Sequence, residues 1–296
     1  MKVGIIIVNF NTKDLLRNCL NSILNKKWKH QYEIWVVDNG SKDGSLELIR
    51  SKFPQLNLVD VGNNVGFTTG NNLGLKQSKL GLNILLNSDT EVYENSLDNL
   101  VDFINDSVFG IGSCKLVYKD GTFQPNAGLL PTPPPLLVWV SGLDDILPII
   151  GKNLPTTHFK DGFLKGQKEV GWVSGSVMII KREVIEKIDG LDENIFMYGE
   201  DMEFCLRAKK AGFKIGWTDT AVIMHIGGGS SRNSSLRQWL GELKGLLYIY
   251  KKFHGQLAAT GLKLLLYFFI LLRILAFSIV GKFNIALTYG KVLTSL

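Results

Sequence analysis

The segment Phe196-Met197-Tyr198-Gly199-Glu200-Asp201-Met202-Glu203-Phe204-Cys205-Leu206-Arg207-Ala208 sets two adjacent carboxylates at the start of a helical pattern that stops at Gly212. At about 100° per residue, Met202, Phe204, Cys205, Leu206, Ala208 and Ala211 form one broad apolar arc, with Glu203, Arg207 and Lys210 on the face opposite. Asp201 falls near the middle of the apolar arc. A carboxylate turned inward is costly unless it meets a partner, a metal or a substrate, which makes Asp201, with Glu200 beside it, the first candidate for proton-transfer chemistry. The alternative is an acidic first turn that complements the positive end of the helix dipole. That accounts for acids near a helix start and leaves the inward placement unexplained.

Further polar groups stand where a sheet would bring them together. Short apolar runs at Val3 to Val8, Ile34 to Val37, Leu56 to Val61, Ile84 to Leu86 and Ile111 to Val117 alternate with helical patterns, as in a mostly parallel sheet covered on both faces. Leu15, Leu16, Cys19, Leu20 and Ile23 follow Asn11 or Thr12 as N-cap, and Leu97, Leu100, Val101 and Ile104 repeat the stripe. Asn9-Phe10-Asn11 follows the first strand, Asp38-Asn39-Gly40-Ser41 the second, and Asn63-Asn64-Val65-Gly66-Phe67, with Asn71-Asn72, the third. Asn87-Ser88-Asp89 follows the fourth. Each is ordinary turn chemistry alone. At the carboxyl ends of neighbouring strands they converge on one ligand crevice of an α/β domain.

The remaining chain falls into distinct stretches. Lys119-Asp120-Gly121-Thr122 reads as a hairpin turn, after which Pro131, Pro133, Pro134 and Pro135 interrupt regular structure through a stretch holding Trp139, Asp144 and Asp145, read as an irregular binding loop or lid. Strand patterning resumes at Gly171 to Ile180, Lys214 to Trp217 and Ala221 to Met224. Leu264 to Val280 is almost wholly apolar, with Arg273 inside it and Lys251, Lys252 and Lys263 ahead. Because a central arginine penalises spanning, an interfacial membrane helix is expected; a packed terminal helix or a dimer contact is the alternative. The 296 residues carry 33 Lys plus Arg against 27 Asp plus Glu, an excess suited to an anionic ligand or membrane surface. No dense basic block with interleaved aromatics points to nucleic acid. Cys19, Cys114 and Cys205 are odd in number and far apart, which fits neither a zinc site nor a disulfide framework and suits a reducing compartment.

The ordered set Val8-Asn9-Phe10-Asn11, Val36 to Ser45, Asn63 to Phe67, Leu86-Asn87-Ser88-Asp89, Gly171-Trp172-Val173-Ser174-Gly175, Gly199-Glu200-Asp201 and Met224-His225 resembles the family 2 glycosyltransferases of the GT-A fold. The likeness covers roughly residues 2–231 and is nearest to bacterial rhamnosyltransferases of cell-surface polysaccharide assembly. It implies a Rossmann-like α/β GT-A domain over 1–231, with a nucleotide-sugar half at 1–117 and an acceptor half at 118–231, followed by a helical, membrane-interfacial segment at 232–296. It implies that Asp38 contacts the nucleoside of a nucleotide-diphosphate sugar, with Asn9, Asn39, Asn63, Asn64, Gly66, Asn72 and Asn87 nearby. Asp89 matches the metal-binding end of the DxD motif, and His225 matches a histidine completing that site, for manganese or magnesium. The first DxD position is Asn87, one negative charge fewer than the pattern. Asp201 matches the catalytic base of an inverting transfer, with Glu200 binding acceptor hydroxyls or tuning it. Trp172, Ser174 and Gly175 are assigned to the acceptor side, where Trp172 is either a wall for a sugar ring or simply core. The implied protein transfers one sugar, with dTDP-rhamnose as candidate donor, to a glycan or lipid-linked acceptor. The expected location is cytoplasmic, peripheral on the inner face of the cell membrane, with a homodimer open.

Other classes fit less well. A processive synthase lacks its QxxRW motif here, and a sugar-nucleotide-forming nucleotidylyltransferase lacks its Gly-rich basic first loop. A non-catalytic nucleotide-sugar-binding protein has no use for Asp89, Asp201 and His225 together.

Overall fold

A computed structural model describes residues 1–142, 154, 156–227 and 234–296. Asp144, Asp145 and the 231/232 boundary lie outside the described residues. The first half runs β1 (Lys2–Asn9), α1 (Lys13–Leu24), β2 (Gln31–Asp38), α2 (Ser45–Lys52), β3 (Asn57–Asp60), α3 (Phe67–Ser78), β4 (Leu82–Leu86), β5 (Thr90–Val92), α4 (Ser96–Asn105) and β6 (Phe109–Val117). The second runs β7 (Phe123–Gln124), β8 (Ala127–Gly128), α5 (Pro133–Ser141), β9 (Gln167–Val170), β10 (Trp172–Val173), β11 (Val177–Lys181), α6 (Arg182–Ile188), α7 (Glu200–Lys210), β12 (Lys214–His225), α8 (Ser234–Ile279) and α9 (Phe283–Ser295).

The main sheet has the order β3-β2-β1-β4-β11-β6-β12-β5. β1 pairs in parallel with β2 and β4, and β2 with β3, as the alternating pattern predicts. The expected run of neighbours stops there, because β11 inserts antiparallel between β4 and β6. Side chains alternate between two cores: Val3, Ile5 and Ile7 join Leu16, Leu20 and Leu100 on one face, while Ile6, Leu85 and Ile180 join Leu75, Phe204 and Cys205 on the other. Burial on both faces is why these strands read as unbroken apolar runs. All three cysteines are buried and free.

Two expectations change. The proline stretch is not irregular throughout: Pro133, Pro134 and Pro135 open α5, where a first turn needs no backbone N–H. Glu203 does not face solvent; it is 0% exposed, bound by Arg207 at 2.7 Å and by Lys252 of α8 at 2.8 Å. A second helical layer covers the face that helical periodicity alone would leave to water.

That layer is the carboxyl-terminal segment. α8 is long and apolar enough to cross a membrane by length and composition. It is nonetheless broken at Gly255, whose φ of 85° is a conformation that side chains disfavour. Trp239 and Phe277 both stack on Tyr289, with ring centroids 5.1 and 5.8 Å away. A straight helix would hold these two residues about 57 Å apart, so the halves fold back on each other. Leu246 and Tyr250 accordingly pack with Ala259, Leu262 and Leu266, and against Leu136 and Val140 of α5.

Candidate active site

The strand ends meet as the turn motifs predict. Asn9 and Asp38 are register partners at the ends of β1 and β2. Asn9 Nδ2 donates to Asp38 Oδ2 at 2.7 Å, and the Ser41 backbone N–H donates to Asp38 Oδ1 at 2.8 Å. Both carboxylate oxygens of Asp38 are thus engaged within the protein, and the residue is 0% exposed. Thr12 is the N-cap residue of α1, as expected, but its hydroxyl does not cap the helix: it donates to Asn9 Oδ1 at 2.6 Å and shares a 2.9 Å hydrogen bond with Ser88. Thr12 and Ser88 of this lattice line a cavity of about 370 Å³ together with Asn39, Asn64, Asn87 and Asp89, whereas Asn9 and Asp38, expected at the nucleoside, are spent on each other and do not line it. Asn39 donates to the Gly66 carbonyl at 2.9 Å, leaving its own buried Oδ1 without a partner among the described residues. Asn63 is exposed, and Asn72 lies elsewhere, tying α3 to Leu191 and Glu193. Asn72 was expected in the donor crevice, but its position on α3 points it toward the loop after α6.

Asp89 and His225 converge across the cavity. β12 brings His225 beside β5, and the His225 Nε2 to Asp89 Oδ1 separation is 3.1 Å. His225 Nδ1–H donates to Gln124 Oε1 at 2.8 Å, and Asn87 Nδ2 donates to Nε2 at 3.3 Å. With Nδ1 held by Gln124, Nε2 is the nitrogen turned into the site, where its lone pair accepts from Asn87 and would reach a metal only once that amide moves aside. Asn87 Oδ1 is buried and unpartnered among the described residues. A carboxylate, an imidazole lone pair and an orphaned amide oxygen suit a divalent cation whose remaining ligands come from water and phosphate oxygens. Among the described residues no three acidic, histidine or cysteine side chains are grouped so as to hold a metal ion by themselves, so the protein's share of such a site is small.

The helix carrying the paired acids stands opposite. Gly199, with φ of 92°, caps α7 and follows Tyr198, which is itself left-handed at 70°. This turn aims Asp201 inward, where its Oδ2 accepts from the Gly175 N–H at 3.1 Å and its Oδ1 from the Met202 N–H at 2.7 Å. Glu200 is 5% exposed, and its Oε2 has no partner among the described residues. Burial, and then the charge of Asp201, push the Glu200 carboxyl up to about 8; burial also raises Asp201 against the hydrogen bonds that lower it. Two adjacent acids sharing a desolvated site resist ionising together, so the proton affinity of one is driven above that of the other.

The remaining wall is aromatic. Trp172 donates its indole N–H to the Thr157 carbonyl at 2.7 Å, and Trp139 and His158 continue the surface at centroid spacings of 5.0 Å. Burial lowers His158 to about 4, so the ring is neutral. Ser174 and Gly175 form the rim beside Asp201. Sequence reasoning singled out Trp139 but missed Gln124, His158 and Glu242. Gln124 and His158 carry no local pattern, and Glu242 lies on a helix expected to serve the membrane.

Residues 4–189 match the model of glycosyl transferase family 2, and residues 149–293 that of glycosyl transferase family group 2. The low-salt glycan biosynthesis hexosyltransferase Agl10 of Haloferax volcanii is 30% identical over 228 residues, 75% of this chain and 66% of that protein. The N-acetylglucosaminyl-diphospho-decaprenol L-rhamnosyltransferase of Mycobacterium tuberculosis is 28% identical over 206 residues, 65% of this chain and 66% of that protein. The chain thus spans just under two thirds of the length of both. The mannosyltransferase PcManGT from Pyrobaculum calidifontis, solved with GDP-Man and Mn2+, shares the fold with a TM-score of 0.61 at 16% identity, covering 99% of this chain and 83% of that one. The sheet order, the crevice at its carboxyl edge and these matches agree: the fold is GT-A, and the chain belongs to glycosyl transferase family 2.

Proposed function

We propose that the chain moves one hexose, with L-rhamnose from dTDP-rhamnose as the first donor to test, onto a hydroxyl of a lipid-linked glycan, with inversion at the anomeric carbon. The supporting observation is Asp201, held by two backbone N–H groups in the cavity that also contains Asp89 and His225. Asp201 accepts the proton from the acceptor hydroxyl as that oxygen attacks the anomeric carbon on the face opposite the nucleotide. General-base assistance of this kind contributes about 10² to 10⁴ in rate. A divalent cation held by Asp89 and His225, manganese or magnesium, would supply charge to the diphosphate leaving group. Asn39 and Asn64 border the nucleoside end, with the buried Asp38–Asn9 pair bracing the strand ends that carry them. The mycobacterial relative's name gives the acceptor to try, an N-acetylglucosaminyl diphosphoryl lipid.

The membrane reading belongs here too. Leu264, Phe268, Leu271, Leu275 and Ile279 are exposed and spaced along one face of α8 after the break, and Phe283, Ile285 and Leu287 continue the apolar surface on α9. Lys263 and the exposed Lys251 and Lys282 flank it. Two expected headgroup contacts are used internally instead: Lys252 binds Asp192 and Glu203, and Arg273 lies over the Tyr289 ring. The surface fits the cytoplasmic leaflet, where a lipid-linked acceptor would be presented. A thermal-shift screen of UDP, GDP and dTDP with manganese or magnesium, followed by transfer to the diphosphoryl lipid and NMR of the product's anomeric configuration, tests the reading. Stabilisation by none of the nucleotides, or a retained configuration, would refute it.

A further inference from the structure

Asp89, Glu200, Asp201 and Glu242 all line one cavity, and among the described residues no lysine or arginine does. Asp89 stands at the histidine end and Asp201 is assigned the proton, which leaves two acids without a task. Glu242 comes from α8. A Cβ on Gly241 would strike the Tyr198 ring, and one on Gly245 would strike the Tyr198 carbonyl, so the helix rides directly on the turn that caps α7. Tyr248 Oη donates to Asp192 at 2.7 Å, and Tyr250 Oη donates to the Pro131 carbonyl at 2.7 Å, clamping the helix on both sides. Glu242 is thereby fixed near Asp201, with its Oε1 accepting from Gln238 Nε2 at 2.9 Å. Independently, the unpartnered and almost wholly buried Glu200 Oε2 calls for a polar ligand group in the same part of the cavity.

Granting the glycosyl-transfer reading, we infer that Glu242, with Gln238, selects the acceptor sugar, hydrogen-bonding the hydroxyls of an uncharged ring and rejecting an anionic one. A sugar edge offers both donors and acceptors, which a carboxyl and an amide one turn apart on a helix can match. A uronate or phosphate in the same place would meet the charge of Asp201 and, above pH about 7, that of Glu242, and rejection by repulsion sharpens specificity as much as added attraction. Burial pushes Glu242 up to about 7, with the nearby Asp201 charge adding to the effect, as crowding of acids around a site for neutral groups requires. The carboxyl-terminal helix then completes the acceptor site as well as carrying the apolar surface.

The test is saturation-transfer NMR on the full chain, with and without dTDP and Mn2+. The probes are methyl N-acetylglucosaminide, methyl rhamnoside, methyl glucoside and methyl glucuronide. In the wild type, at least one neutral glycoside should bind at least 10-fold more tightly than the glucuronide. Glu242→Leu should weaken neutral binding at least 10-fold, and Glu242→Gln should shrink the neutral-to-anionic preference at least 5-fold. Affinity for dTDP should stay within twofold in both variants, and thermal melting checks that both are folded. An unchanged preference in Glu242→Gln, or a wild type that binds no glycoside of the four, overturns the inference. Failure of dTDP to bind the wild type counts instead against the donor reading, since glycoside binding without nucleotide still reports on Glu242.

Discussion

Replacing Glu200 by Gln should make the protein more stable in alkali and about 1 kcal/mol less stable in acid. Glu200 is buried, has one oxygen without a partner among the described residues, and sits beside Asp201. Its carboxyl moves from the ordinary 4.5 to about 8 in the folded state. Below pH about 4.5 both folded and unfolded chains hold this proton, and the contribution to stability is fully present. As pH rises, the unfolded chain releases the proton first, so stability falls until the folded carboxyl also ionises near pH 8. Each pH unit between the two values costs at most about 1.4 kcal/mol, which bounds the loss at about 5 kcal/mol; the charge shared with Asp201 makes about 2 to 3 kcal/mol the working expectation. Glutamine keeps the shape and removes the titration. Its buried amide adds a cost of about 1 kcal/mol that does not vary with pH, so the diagnostic is the slope and not the offset. Urea unfolding of wild type and Glu200→Gln at intervals from pH 5 to pH 9 measures it. In an Asp201→Asn background the difference should shrink, because the neighbouring charge has gone. Parallel stability curves across that range would refute the argument that Glu200 holds a proton in the folded enzyme near neutrality.

The Asp201→Asn enzyme should bind nucleotide sugar nearly as wild type but turn over at least about 10²-fold more slowly, since the shape is kept and the proton acceptor lost; near-native turnover removes Asp201 as base. Because Asp201 must be ionised to act and its carboxyl is raised above 3.8, the acid limb of the rate profile should lie above that value. Asp89→Ala should weaken metal-dependent dTDP binding more than His225→Ala, and Gln124→Ala should cost about 10- to 100-fold in metal affinity by freeing the imidazole; calorimetry with manganese decides all three. A chain cut after His254 should lose co-sedimentation with anionic vesicles at low salt while retaining nucleotide binding. A full-length protein that stays in the supernatant as a tight dimer would make the apolar stripe a protein interface.

Local pattern was enough for the features that depend on a few neighbouring residues. Continuous apolar runs specify strands buried on both faces, and the Asn, Asp, Gly and Ser clusters after them specify the turns that form the crevice. The inward aim of Asp201 was legible because helical periodicity made its position anomalous. What required the tertiary structure were partners distant in sequence. β11 enters antiparallel between β4 and β6, which neither strand's own residues announce. Glu203 looked solvent-facing until α8 covered it with Lys252, and Lys252 looked lipid-facing for the same reason. His225 acquires its tautomer from Gln124, a residue 101 positions away. An apolar helix long enough to span a membrane became a hairpin through one left-handed glycine, and its polar edge became a wall of the site. Periodicity reports which side of an element avoids water; which element supplies the cover is decided by chain closure and packing over long sequence separations.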